Sequence, residues 1–175
     1  MNRWQGVLCM GWALLISAPV QAVENLAFRG TLVNAPCTLR AGSEDLELPF
    51  GTVIDKSLYR ETRTPSKSFH LYLDDCDTAV LTGVKLTFSG RESPALPGLL
   101  ALDASSVAQG VAVGIETAGG QLLPLNMQGP QTLLTPGDMD IVLQAFVQGE
   151  PMALANKTLL QGPFTATATF ALEYQ

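Results

Sequence analysis

Apolar and polar positions alternate with a period of two along most of this chain, in short runs separated by Gly and Pro. That period puts successive side chains on opposite faces of a strand, so each run predicts a β-strand with one face turned to a core. Ser68 to Leu73 sets Phe69, Leu71 and Leu73 on one side, Val84 to Phe88 follows, and Leu99 to Leu102 comes after the Pro94 to Gly98 turn. Gly110 to Glu116 aligns Val111, Val113 and Ile115, and Met139 to Val147 aligns Ile141, Leu143, Ala145 and Val147. Leu26 to Leu39 reads as extended, with shorter pieces at Leu46 to Phe50, interrupted by Pro49, and at Leu122 to Leu125. Residues 54–67 read as a long surface loop and 126–138 as a connection, and no segment carries a strong helical period. Many short strands between turns, without βα alternation, predict an all-β sandwich.

The most regular run closes the chain. From Gly162 to Gln175, Phe164, Ala166, Ala168, Phe170, Leu172 and Tyr174 share one face, and Thr165, Thr167, Thr169 and Glu173 lie on the other. No later strand follows to pair with it, and an edge left bare exposes N–H and C=O groups that other chains can bind. A second free run lies at 23–33, where Leu26, Phe28, Gly30 and Leu32 alternate with Asn25, Ala27, Arg29 and Thr31. Taken alone, this run is equally an ordinary first strand of the sandwich.

Residues 1–22 differ in kind: Arg3 begins a positive region, Val7 to Ser17 is apolar, and Val20-Gln21-Ala22 is a small-residue cleavage site. This predicts a secretory signal peptide, because the apolar stretch is well short of the ~20 residues a spanning helix needs. Cys9 and both tryptophans, Trp4 and Trp12, would leave with it. Cys37 and Cys76 then remain, an even pair in an oxidising compartment, which argues for one disulfide. With 175 residues and 47% hydrophobic content the chain is expected to form one domain. A net charge of −6 with scattered basic residues would repel phosphate backbones, so no nucleic-acid partner is expected.

Catalytic chemistry finds little support. The single histidine, His70, sits on the solvent side of a predicted strand, and no nucleophile elbow, phosphate loop or zinc motif occurs. Asp74, Asp75 and Asp77 cluster beside Cys76 but lack the ligand spacing of a calcium loop and read as a solvated turn. Neither an enzyme, a cofactor nor a metal site is expected. A secreted, self-contained β-sandwich that binds a ligand, or a small adhesin, stays open as an alternative.

The residues Leu26-Ala-Phe-Arg-Gly-Thr-Leu32, Pro36-Cys37, Leu73-Asp-Asp-Cys76, Leu86-Thr-Phe-Ser-Gly90, Ala95-Leu-Pro-Gly98 and Thr165 to Tyr174 together resemble the pilin subunits of the chaperone-usher pathway. The likeness is strongest to minor tip and adaptor subunits of P-type pili. It spans nearly the whole chain after residue 22, with Gly162 fourteenth from the end and Tyr174 penultimate, as in that family. The resemblance implies an incomplete immunoglobulin-like β-sandwich lacking its final strand. It implies a donor-strand extension at 23–34, with donor residues Glu24, Leu26, Phe28, Gly30 and Leu32, ahead of a pilin domain at 35–175. Glu24 departs from an apolar anchor at the outermost position. Gly162, Phe164, Ala166, Ala168, Phe170, Leu172 and Tyr174 would line the acceptor groove and bind the chaperone. The implied partners are a periplasmic pilus chaperone, an outer-membrane usher and neighbouring pilin subunits. The implied route runs through the periplasm to a fimbrium on the cell surface, where the subunit contributes to cell adhesion.

Overall fold

A computed structural model describes residues 35–175, and among these the chain forms nine strands and two short helices. In order they are β1 (Thr38–Leu39), α1 (Asp55–Glu61), β2 (Lys67–Cys76), β3 (Gly83–Ser89), β4 (Glu92–Ser93), β5 (Leu96–Ala101), β6 (Val111–Thr117), β7 (Gln128–Leu133), β8 (Gly137–Gly149), α2 (Pro151–Asn156) and β9 (Thr169–Tyr174). One sheet has the order β1-β2-β8-β6-β5-β4 and the other the order β7-β3-β9. Every strand pair is antiparallel.

The period-two runs become these strands because each has a face to bury. Leu71 and Leu73 on β2, Ile141 and Leu143 on β8, and Val113 and Ile115 on β6 meet Val84, Leu86 and Phe88 of β3 in one core cluster. Two sheets packed by their inner faces make a sandwich. The all-β expectation therefore holds. Cys37, just ahead of β1, forms a disulfide with Cys76 at the end of β2, where Thr38 pairs with Asp74. A crosslink closing a loop of this size stabilises a fold by about 3–4 kcal/mol, mainly through the unfolded chain.

Several sequence expectations need correction. The loop expected at 54–67 contains α1, whose Leu58 is buried against the sandwich. A second helix turn, α2, starts at Pro151, a residue whose fixed φ and missing N–H suit a first helical position. Residues 126–138 are not a plain connection, because β7 lies within them as an edge strand on β3. Leu46 to Phe50 forms no strand, although Leu48 and Phe50 pack on the core, and Leu122 contributes one isolated bridge to Glu116.

A buried charge fixes the join between α1 and the larger sheet. Glu116 on β6 is almost wholly enclosed and accepts hydrogen bonds from Arg63 (3.0 and 3.3 Å) and from the Ser66 hydroxyl. Burial opposes its ionisation, yet the bonds from Arg63 and Ser66 and the Arg63 charge outweigh this and hold its pKa below the usual value. The Arg63 guanidinium also lies 3.5 Å from the centre of the Phe146 ring. Phe146 in turn covers Gly114, where any Cβ would strike the ring at 2.2 Å.

Candidate functional site: an open edge beside the terminal strand

β9 pairs with β3 on one side, with Phe170 opposite Phe88, Leu172 opposite Leu86 and Tyr174 opposite Val84. Among the described residues nothing pairs with its other side. Hydrogen bonding fixes which residues face that open side. Gln175 and Gly83 exchange both of their backbone bonds, at 2.8 and 2.9 Å. In an antiparallel ladder such pairs alternate with pairs that exchange none, so Glu173 with Lys85, Ala171 with Thr87 and Thr169 with Ser89 also point their N–H and C=O groups inward to β3. Phe170, Leu172 and Tyr174 therefore point theirs outward, along the bare edge.

The same parity runs back through the preceding residues. Residues 162–168 are not in the ladder, which corrects the expectation of one strand from Gly162 onward. They are held instead by the loop at 103–108. The Pro163 carbonyl accepts from Val107 N–H at 2.9 Å, the Thr165 carbonyl from Asp103 N–H at 2.9 Å, and Thr165 N–H donates to the Ser106 hydroxyl at 3.1 Å. Thr167 donates its hydroxyl to Asp103 at 2.9 Å. Every one of these bonds comes from an odd-numbered residue. The backbone groups of Phe164, Ala166 and Ala168 have no bond of this kind to a described residue, so the unpaired row extends the whole length from 164 to 174.

Side chains follow the complementary rule. Phe164, Ala166, Ala168, Phe170, Leu172 and Tyr174 all turn inward against the core, yet all remain half-buried, and the intervening residues are exposed. Phe164 faces Phe50 at 6.2 Å between ring centres, and Phe170 faces Phe88 at 6.5 Å. Burial pushes the Tyr174 phenol above its usual pKa. The edge thus combines an apolar inner row with a main-chain row unpaired among the described residues, the two things that β-strand addition uses.

Gly162 enters this geometry through close approach. A Cβ there would lie 2.6 Å from Val107 Cγ1 and 3.2 Å from the Ala108 nitrogen, so only glycine lets the segment start against the 103–108 loop. Gly90 is similarly crowded beneath the segment, where a Cβ would lie 2.6 Å from Leu100 Cδ1 and 3.3 Å from the Thr167 carbonyl. Asp103, Ser106 and Val107, which hold the start of the edge, were missed by sequence reasoning. Only the small-residue turn around them hints at such a role. The structure brings all seven expected acceptor residues together, whereas the expected signal peptide (1–22) and the donor residues Glu24, Leu26, Phe28, Gly30 and Leu32 lie outside the described residues.

The remaining candidate chemistry is structural. His70 is exposed, with Nδ1 2.8 Å from Asp140 and its ring stacked on Tyr72. Asp74 is engaged by Arg40 at 2.9 and 3.0 Å, and that hydrogen-bonded guanidinium holds its carboxyl below the usual range. Among the described residues no three His, Cys, Asp or Glu side chains converge as metal ligands.

A family model for fimbrial proteins matches residues 26–175. The chain belongs to the fimbrial protein family. It is 34% identical to the fimbrial adapter PapK of Escherichia coli, over 93% of this chain and 97% of that protein. It is 30% identical to the major MR/P fimbria protein of Proteus mirabilis, over 100% of this chain and 99% of that protein. The crystal structure of the P pilus rod subunit PapA has the same fold, with a TM-score of 0.67 at 24% identity, covering 81% of this chain and all of that one. The chain is a chaperone-usher pilin close to the P-pilus subunits, with their incomplete immunoglobulin-like sandwich, and it functions as a subunit of a pilus.

Proposed function

We propose that this pilin is a minor structural subunit, without catalysis, that joins its neighbours by donor-strand exchange. A periplasmic chaperone would first occupy the open edge, and at an outer-membrane usher the extension of another pilin would replace it. One observation carries this reading: six inward apolar side chains from Phe164 to Tyr174 share an edge with a row of backbone groups that no described residue pairs. The segment at 23–34 supplies a matching strand for a different subunit. Its alternating residues run from Glu24 to Leu32, nearly the reach of the edge from 164 to 174. Burying Leu26, Phe28 and Leu32 would contribute about 1.5–3 kcal/mol each before the cost of ordering the strand.

The minor role is supported by the 34% identity to the fimbrial adapter PapK. The test is purification of the mature chain with and without its chaperone, alongside Phe28→Asp. A charge placed in an apolar groove leaves chaperone binding intact but blocks attachment to the preceding subunit. If Phe28→Asp still assembles, residues 23–34 are not the donor. If the chain alone is as stable as when complemented, it is a self-contained sandwich instead.

A further inference from the structure

The open edge offers one position more than the donor run can fill. Six inward side chains stand along it, from Phe164 to Tyr174, whereas Glu24, Leu26, Phe28, Gly30 and Leu32 make five. A strand shifted by two residues keeps the same side chains facing inward, so alternation alone leaves two registers open. A contact at one end of the edge has to choose between them.

That contact is built at the Phe164 end. Phe50 belongs to no strand, yet it packs on the core and faces Phe164 at 6.2 Å between ring centres. Rings this close leave no space for a third side chain between them. Phe50 is held from both directions along the chain: the Lys67 ammonium donates to the Pro49 carbonyl, and α1 begins at Asp55. The helix in turn grips the segment that leads into the edge. The Tyr59 hydroxyl accepts from Leu159 N–H at 3.2 Å, and Asp55 accepts from the Gln161 side-chain amide at 2.7 Å. Leu160, between them, exchanges both backbone bonds with Gln109, at 3.1 and 3.2 Å. The flank turned away from Gln109 and the 103–108 loop, bare among the described residues from Phe164 onward, is therefore filled by α1 at Leu159. Behind the helix, the bond from Gly149 N–H to the Thr62 carbonyl at 2.9 Å and the Arg63–Glu116 pair fix it to the larger sheet.

We propose that Phe50, backed by α1, is a plug that closes the sixth position, so that an added strand seats on the five positions from Ala166 to Tyr174 in a single register. The inference rests on the donor-strand reading and adds to it the residues that set the register. Tyr59 is a positioning residue, acting through Leu159 and the helix that carries Phe50. Whichever way the donor runs, this seating puts its central residue, Phe28, beside Phe170. One step towards Phe164 would put Phe28 beside Ala168.

Ala171→Cys in the refolded mature chain reads the register. Ala171 pairs with Thr87 and turns its backbone groups to β3, so a donor residue opposite it sits in the close, non-hydrogen-bonded position. Peptides of residues 23–34 with cysteine in place of Asn25, Ala27, Arg29 or Thr31 are added together, in excess, in a glutathione buffer, and the disulfide adducts are sorted by mass. Seating on 166–174 sets position 27 or 29 opposite, according to strand direction, and a shift of one step sets position 25 or 31 there. The expected result is an adduct at 27 or 29 while Phe50 is in place, and a rise of about tenfold in the ratio of the shifted adduct to the seated one with Phe50→Ala. Tyr59→Phe, which keeps the ring and removes only the acceptor for Leu159 N–H, should move the ratio the same way by less. Shifted adducts as abundant as seated ones before either substitution, or a ratio that neither substitution changes, overturns the register proposal alone. No adduct with any of the four peptides overturns the donor-strand reading as well.

Discussion

β3 and β9 carry the same pattern in the same register on the same sheet, and they are buried very differently. Val84, Leu86 and Phe88 are 0%, 5% and 6% exposed, whereas Tyr174, Leu172 and Phe170 directly opposite them stay half-buried. Composition does not separate the two rows, since both are aliphatic and aromatic. What differs is the number of neighbours: β3 lies between β7 and β9, and β9 has β3 alone among the described residues. A period of two specifies which face turns inward. It takes a strand on each flank to close that face.

The contrast can be broken from the β3 side. Leu86→Ala should cost about 2–5 kcal/mol, read from denaturant midpoints, whether or not the groove is filled. Leu172→Ala should cost clearly less in freshly refolded chain and should approach the Leu86→Ala value once a peptide of residues 23–34 is added, because only then is Leu172 enclosed. Equal costs without peptide would mean that the edge is already closed. A smaller effect sharpens the account at the start of the edge. Gly162→Val should destabilise the chain by about 1–3 kcal/mol by forcing the segment off Val107, and should slow strand uptake.

Much of this was readable from the residues themselves. The alternation gave the strands at 139–147 and 169–174 and the inward face along 164–174, and the two cysteines left once the expected signal peptide is set aside gave the disulfide. Boundaries were less legible. β7 is hidden because Gln128-Gly-Pro-Gln-Thr-Leu133 has almost no alternation and is ordered by its bonds to β3. α1 is hidden because a seven-residue helix with one buried leucine leaves too short a period to read, and packing of Leu58 and the Arg63–Glu116 pair decide it. The break between 162–168 and β9 depends on bonds from Asp103, Ser106 and Val107, residues some sixty positions away. No local pattern encodes a contact of that range.

Amide hydrogen exchange along the terminal strand tests the central claim most directly, because neighbouring residues serve as each other's control. In freshly refolded chain, the amides of Ala171, Glu173 and Gln175 should be protected by β3, and those of Phe170, Leu172 and Tyr174 should exchange freely. In the assembled pilus the second set should become protected as well. Protection of Phe170, Leu172 and Tyr174 in the isolated chain, or their continued free exchange in the pilus, would contradict the account.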